Sequence, residues 1–354
     1  MTRSAPEVAD GYGVAEPDRL GNTQLPGGRR LGWAEWGPPH GTPVLFCPGA
    51  ATSRTLGFGS HLLNPLGVRL ISVDRPGLGA SDPAPGRTLT DFAADMADLC
   101  RLRGLTAVRG VGFSQGAPFA LACAAASTFV AVAVVAGTDE LAHPFFATAL
   151  TPEVAAMVDA VRTDPAAAEG TFAGYGDPDE LWQRILAMTG DTDRTVYTHQ
   201  VFARAYRHAV TEAFVQGPGG YARDTVLASA RWPFDPGIVR VPVDLWYGAQ
   251  DTSPVHSPDL GGVPPRSHPR RPTPRHSQRR RGAAVDARRD DPADAAAALS
   301  RRRPGPCRWT DEGDRASRND TTLSRSTRRV RRYGREQIGS SRVLSTALNR
   351  PQPR

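Results

Sequence analysis

The chain has 354 residues, of which 40% are hydrophobic and 22% are charged, and its mean hydropathy is −0.38. This length is enough for a sizeable core, and no apolar run reaches the roughly 18 residues that a membrane-spanning helix needs. The N-terminus lacks the basic-then-apolar pattern of a signal peptide, so we expect a cytoplasmic protein without a membrane partner. The four cysteines (Cys47, Cys100, Cys123 and Cys307) follow no metal or disulfide spacing.

The first third of the chain alternates predicted strands with predicted helices. Residues 29–37 alternate between apolar and polar positions, whereas 43–47 and 68–74 are short apolar runs, which is typical of strands buried on both faces. Residues 90–104 have helical apolar spacing, with Thr90 or Asp91 as the expected N-cap.

The most informative segment is the pentapeptide Gly-Phe-Ser-Gln-Gly centred on Ser114. Residues 105–111 before it predict a strand, and residues 117–126 after it predict a buried helix. A strand, a sharp turn and a helix are the setting of a nucleophile elbow, in which a serine hydroxyl projects at the carboxyl edge of a sheet. The elbow brings the backbones of strand and helix close together, so side chains at the two flanking glycines would clash.

Two further strands are predicted, at 131–137 and 241–248, and the stretch between them is helical in pattern. Thr151 and Asp177, each followed by proline, have the residue types of helix starts. Strands that alternate with helices predict a mostly parallel sheet covered on both faces.

Four segments together resemble the α/β-hydrolase family over about residues 25–258. They are the loops at 47–50 and 74–81, the Ser114 elbow, and residues 247–251. The resemblance implies the α/β-hydrolase fold, a mostly parallel central sheet with a helical cap inserted late in the core.

The expected organisation has five parts. They are an N-terminal segment (1–24), the first part of the core (25–138), a helical cap (139–235), the last recognisable strand with its acid loop (236–258), and an Arg/Pro-rich tail (259–354).

The resemblance also implies roles for individual residues. Ser114 is the expected nucleophile, and the backbone N–H groups of Ala50 and Gln115 are the expected oxyanion hole. Pro48 stands where the family usually has histidine, but a backbone donor needs no particular side chain. Asp251 is the expected acid, with Asp139 as the alternative position.

The catalytic base is left unassigned by the sequence. In this fold the histidine follows the acid in the chain, on a loop after one more strand. His256 is too close to Asp251 for a helix and a strand to intervene. His268 and His276 follow no apolar run, so they are only weak candidates.

A change in composition accompanies the missing base. Residues 1–254 contain 19 arginines and 26 acidic residues, whereas residues 255–354 contain 24 arginines and 10 acidic residues. We expect the tail to be disordered and the last strand and helix of the fold to be missing. One hypothesis is a shift of the reading frame near residues 258–264. The rival is a basic tail that attracts phosphates without specificity.

These observations predict a serine hydrolase that acts on a small ester, amide or related carbonyl substrate through an acyl-enzyme, impaired by the loss of its histidine. We therefore expect little turnover of p-nitrophenyl esters. The alternative is a non-catalytic small-ligand-binding protein of the same fold. No cofactor, metal or specific nucleic acid is expected.

Overall fold

One sheet of eight strands organises the described part of the chain. The structure is a computed structural model, and it describes residues 12–261 and the backbone of residues 328–333. The strands are β1 (Arg19–Gln24), β2 (Arg30–Trp36), β3 (Thr42–Cys47), β4 (Val68–Val73), β5 (Arg109–Phe113), β6 (Ala131–Val135), β7 (Val243–Gly248) and β8 (Arg328–Tyr333).

The strand order is β1-β2-β4-β3-β5-β6-β7-β8. β1 pairs with β2 and β2 with β4 in antiparallel fashion, whereas every pairing from β4 to β8 is parallel. The parallel strands therefore end at one edge of the sheet, which is where ligand sites form in open α/β sheets.

Within residues 12–261, α-helices follow β3, β4, β5 and β6. In the described residues they are α1 (Ser60–Leu63), α2 (Leu89–Leu102), α3 (Gly116–Ala125), α4 (Pro152–Thr163), α5 (Pro165–Ala173), α6 (Pro178–Met188), α7 (Asp191–Tyr197), α8 (Gln200–Ala213) and α9 (Gly219–Ser229), with short 3₁₀ turns at Pro144–Phe146 and Pro236–Ile238. Helices α4 to α9 all lie between β6 and β7, and we call them the helical insertion (residues 152–229).

Both faces of the sheet are buried. Alternate residues of β3 belong to two different apolar clusters, with Leu45 and Cys47 in one and Val44 and Phe46 in the other. This division follows from the period of two along a strand. The predicted mostly parallel sheet with both faces covered is therefore confirmed.

The start of α2 differs from the sequence expectation. Thr88 is the N-cap, not Thr90 or Asp91. Its hydroxyl oxygen accepts a hydrogen bond from the Asp91 N–H (3.2 Å), and the Asp91 carboxylate accepts one from the Thr88 N–H (2.8 Å). This reciprocal pair satisfies two free N–H groups, which moves the helix start ahead of the predicted one. The predicted caps Thr151 and Asp177 are confirmed.

The last strand is also a departure from the sequence expectation. No strand is predicted after residues 241–248, but β8 pairs with β7 so that Arg328 lies opposite Val243 and Tyr333 opposite Gly248. The sequence of β8 contains one aliphatic residue, Val330, so it lacks the apolar run by which a buried strand is recognised. Residues 262–327 and 334–354 of the predicted tail lie outside the described residues.

The described residues include no helix with both the length and the apolar character needed to cross a membrane.

Candidate active site

Ser114 lies at the sharp turn between β5 and α3. Its φ angle is +50°, a left-handed conformation that is strained for a serine. The turn is held by its main chain, because the Ser114 N–H donates to the Val135 carbonyl (3.0 Å) and the Ser114 carbonyl accepts from the N–H groups of Ala117 (3.0 Å) and Thr138 (3.1 Å). The hydroxyl is thus presented at the carboxyl edge of the sheet, as the sequence predicts.

The two flanking glycines are required by close backbone contacts. A Cβ atom added to Gly112 would lie 2.8 Å from the Ala117 Cα, and one added to Gly116 would lie 2.0 Å from the Cys47 carbonyl oxygen. Distances this short between non-bonded atoms force the backbone to move. The steric reason inferred from the sequence is therefore confirmed, and for Gly116 the close neighbour is the end of β3.

His256 connects Ser114 to Asp251 through both of its ring nitrogens. Its Nε2 lies 3.0 Å from the Ser114 Oγ, and its Nδ1 lies 2.8 and 3.0 Å from the two carboxylate oxygens of Asp251. An ionised carboxylate only accepts hydrogen bonds, so Nδ1 carries the proton and a neutral ring leaves Nε2 free to accept the serine proton.

On sequence grounds His256 is set aside because no helix and strand can intervene between it and Asp251, yet its ring contacts both Asp251 and Ser114. The Asp251 carboxylate accepts a hydrogen bond from the Ser253 N–H (3.0 Å), and the His256 N–H donates to the Ser253 carbonyl (3.3 Å). These two turns reverse the chain within five positions, so no intervening strand is needed. His268 and His276 lie outside the described residues and stay predictions.

The residue after His256 is anchored to the loop that follows β6. The Ser257 N–H donates to the Gly137 carbonyl (3.0 Å), and the Ser257 hydroxyl lies within hydrogen-bond distance of the carboxylates of Asp139 (3.1 Å) and Asp259 (2.9 Å). Asp139, the alternative acid position, thus supports the histidine loop, while Asp251 is the carboxylate that contacts the imidazole.

The Asp251 carboxyl is held in its charged form. Burial on its own raises its pKa, but the hydrogen bond and charge of His256, together with the Ser253 N–H, outweigh burial and keep the pKa below its usual range. A carboxylate that stays ionised can orient the imidazole and stabilise it when it becomes protonated.

The two predicted oxyanion donors flank the serine. Gln115 is the N-cap residue of α3, and a Cβ added to Gly49 would lie 3.7 Å from the Ser114 Cβ, which brings the loop of Ala50 against the elbow. Within residues 12–261, no hydrogen-bond acceptor pairs with the N–H of Ala50 or of Gln115.

A family model described as the alpha/beta hydrolase fold matches residues 42–252, more than half of the chain. The chain belongs to the α/β-hydrolase family. The match begins at β3 and ends directly after Asp251, so it contains the elbow and the candidate acid.

Similarity of this α/β hydrolase to curated proteins is partial. It is 34% identical over 104 residues to a non-heme chloroperoxidase of Streptomyces lividans, covering 27% of this chain and 36% of that protein. It is 32% identical over 120 residues to a proline iminopeptidase of Neisseria gonorrhoeae, covering 32% and 37%. The chain therefore spans little more than a third of the length of the curated relatives it matches.

One solved structure that resembles it is a thermophilic esterase from Thermogutta terrifontis. That structure is 20% identical in sequence and has a TM-score of 0.49, with 68% of this chain and 84% of the esterase covered.

The helical insertion of this α/β hydrolase contacts the loops around the serine. The Ser53 N–H donates to the Ala209 carbonyl (3.1 Å) in α8, and the Thr252 hydroxyl donates to the Met188 carbonyl (3.2 Å) in α6. Ala51 shares a buried cluster with the insertion residues Trp182 and Tyr206.

His256 is the site residue that sequence reasoning missed. A signal was present, because the residues between it and the acid include Ser253 and Pro254, which are typical of turns. A tight turn places residues a few positions apart side by side. The sequence alone instead predicts the histidine on a loop that follows one more strand.

Proposed function

We propose that this chain is a serine hydrolase that cleaves a small ester, amide or related carbonyl substrate through an acyl-enzyme. Ser114 is the nucleophile, His256 the base and Asp251 the acid that orients it. The observation that carries this proposal is the unbroken hydrogen-bond chain from the Ser114 hydroxyl through the His256 ring to the Asp251 carboxylate. A non-catalytic ligand-binding protein would have no need for these hydrogen bonds.

In the first half of the reaction, the Ser114 oxygen attacks the substrate carbonyl carbon as its proton passes to His256 Nε2. The carbonyl oxygen becomes an oxyanion, which we assign to the N–H groups of Ala50 and Gln115. The tetrahedral intermediate collapses when the leaving group departs with the proton from Nε2, and the acyl group remains on Ser114.

In the second half, a water molecule gives a proton to Nε2 and attacks the acyl carbon. A second tetrahedral intermediate forms, and its collapse returns the proton to the Ser114 oxygen and releases the carboxylic acid. Throughout, Asp251 holds the imidazole in one tautomer and balances its positive charge.

The test is covalent labelling of the full chain with a fluorophosphonate, read by intact mass, together with hydrolysis of p-nitrophenyl acetate. We expect one adduct, located on Ser114 by peptide mapping, and none in Ser114→Ala. We also expect ester turnover, in contrast to the expectation from sequence alone, because His256 supplies the base. A folded protein that neither reacts with the probe nor turns over the ester would overturn the proposal in favour of ligand binding.

The partner implied by this chemistry is a small-molecule substrate. Neither a specific nucleic acid nor a membrane is part of the proposal, and the cytoplasmic location expected from the sequence stays a prediction.

A further inference from the structure

A buried arginine holds the loop that precedes the candidate oxyanion donor Ala50. Arg75 follows β4 and is fully buried. Its Nη1 donates to the Pro48 carbonyl (2.6 Å), and its Nη2 donates to the Gly49 carbonyl (2.8 Å). Both carbonyls therefore have fixed directions.

The second of these bonds also fixes the Ala50 N–H. The Gly49 carbonyl and the Ala50 N–H belong to one peptide unit, which is planar and trans, so they point in opposite directions. When Arg75 fixes the carbonyl, it fixes the amide as well. A cationic donor on the carbonyl also polarises the peptide, which strengthens its N–H as a donor.

Arg75 is in turn held by helix α9. Its Nε donates to the Asp224 carboxylate (2.6 Å), and the other oxygen of Asp224 pairs with Arg87. The side chains of Arg75 and Asp224 are both 0% exposed. The orientation of the Ala50 amide thus depends on a carboxylate that comes from the helical insertion.

The next residue of α9 reaches the other candidate donor. The Gln115 side-chain amide donates to the Thr225 hydroxyl (3.2 Å), and that hydroxyl donates to the Tyr221 carbonyl (2.9 Å) within the same helix. Gln115 is buried, so this bond is shielded from water. The residue whose N–H forms the second half of the oxyanion hole is therefore tied to α9 as well.

The start of α9 leaves little room for adjustment. A Cβ added to Gly220 would lie 2.5 Å from both the carbonyl carbon and the carbonyl oxygen of Gly77, in the loop that contains Arg75. The helix is packed directly on the backbone that it orients.

We propose that α9 positions both oxyanion donors, with Asp224 acting through Arg75 on the Ala50 amide and Thr225 acting through Gln115. This inference rests on the proposed function. Asp224, Thr225 and Arg75 are positioning residues, since they act through the loop and the elbow and not on the substrate. Loss of either contact should weaken binding of the transition state more than binding of the substrate.

The experiment compares the full-length variants Asp224→Asn, Arg75→Lys and Thr225→Val with the wild type. The control Glu35→Gln removes another buried, arginine-paired carboxylate, which none of the contacts above involve. Loss of one oxyanion donor costs about 100- to 1000-fold in rate, so a donor that is only misaligned should cost about 10- to 100-fold in kcat. We expect KM to change less than threefold, and Glu35→Gln to keep the wild-type kcat.

Affinity for a trifluoromethyl ketone separates positioning from general loss of structure. This inhibitor adds to Ser114 and places an oxyanion in the same hole, so its Ki should rise in proportion to the fall in kcat/KM across the variants. Circular dichroism identifies variants that do not fold. Thr225→Val removes one hydroxyl at nearly constant volume. If Asp224→Asn and Arg75→Lys do not fold, this variant still tests whether α9 positions the oxyanion donors.

The outcomes separate the two proposals. If the wild type is active and folded Thr225→Val and Asp224→Asn keep its kcat and Ki, the inference about α9 is wrong. The proposed function would still stand. A wild type without esterase activity and without fluorophosphonate labelling would overturn the proposed function itself.

Discussion

His256 Nε2 lies 3.0 Å from the Ser114 Oγ, although the two residues are 142 positions apart in the chain. The same imidazole contacts Asp251, only five positions before it. The candidate acid and the candidate base therefore come from a single loop after β7, and the three side chains of the proposed triad are in contact.

The first prediction concerns which histidine acts as the base. We expect His256→Ala to lower kcat for p-nitrophenyl acetate by about 10⁴- to 10⁶-fold, because Ser114 would lose its proton acceptor. His268→Ala and His276→Ala should keep wild-type kcat. Steady-state rates, normalised to the folded fraction, measure this. Loss of activity in either tail variant, with a fully active His256→Ala, would assign the base to the tail.

The second prediction separates the two candidate acids. Asp251→Asn replaces the acceptor of the His256 Nδ1–H, so the imidazole is free to adopt the wrong tautomer, and we expect kcat to fall about 10⁴-fold. Asp139→Asn keeps the shape of the group that lies within hydrogen-bond distance of the Ser257 hydroxyl, and we expect a loss of less than about tenfold, because a neutral hydrogen bond can still form. The pair of kcat values checks this, and the reverse ranking would identify Asp139 as the acid.

Much of the fold and most of the site are predictable from the sequence, for reasons that particular residues make clear. Ser114 and its glycines carry a local steric requirement, and buried strands such as 43–47 carry an apolar run. β1 and β8 contain few apolar residues, so no apolar run marks them as strands in the sequence. They are strands because their backbones pair with β2 and β7. His256 escaped prediction because its position depends on two hydrogen-bonded turns. Asp224 escaped because its contact with Arg75 spans 149 positions, which no local pattern records.

The third prediction tests the close contact at the elbow. Gly116→Ala places a Cβ 2.0 Å from the Cys47 carbonyl oxygen, so β3 and α3 must separate. We expect a loss of unfolding free energy of about 3 kcal/mol, at the upper end for overpacking, because the obstacle is backbone. Gly170→Ala in α5 is the matched control, since its Cβ would meet nothing within 4 Å. It should gain about 0.5–1 kcal/mol. Denaturant unfolding of both variants measures the difference, and equal stabilities would contradict the contact.

The fourth prediction concerns the stability of the fold in acid. The pKa of Asp251 is lower in the folded protein than in the unfolded chain, so ionised Asp251 stabilises the fold above the usual aspartate pKa of about 3.9. That stabilisation is lost as the pH falls through the folded pKa. Asp251→Asn lacks this titration. We therefore expect the stability difference between wild type and Asp251→Asn to decrease steadily below about pH 4. A difference that grows on acidification, measured by urea unfolding, would contradict the sign of the shift.

The fifth prediction concerns Cys47, which ends β3 directly before the oxyanion loop. Burial raises the pKa of its thiol to about 12, although the nearby charge of Arg75 partly offsets this. Burial also raises the pKa of Cys100 to about 11 and that of Cys123 well above its usual range. A thiol in this state is neither nucleophilic nor accessible. In Cys307→Ser, which removes the one thiol outside the described residues, we expect no reaction with Ellman's reagent at pH 8 in the native state. Unfolding should then release the three buried thiols. Fast native labelling of Cys47 together with loss of ester turnover would instead mean that the oxyanion loop opens to solvent, and that the bonds from Arg75 do not hold it closed.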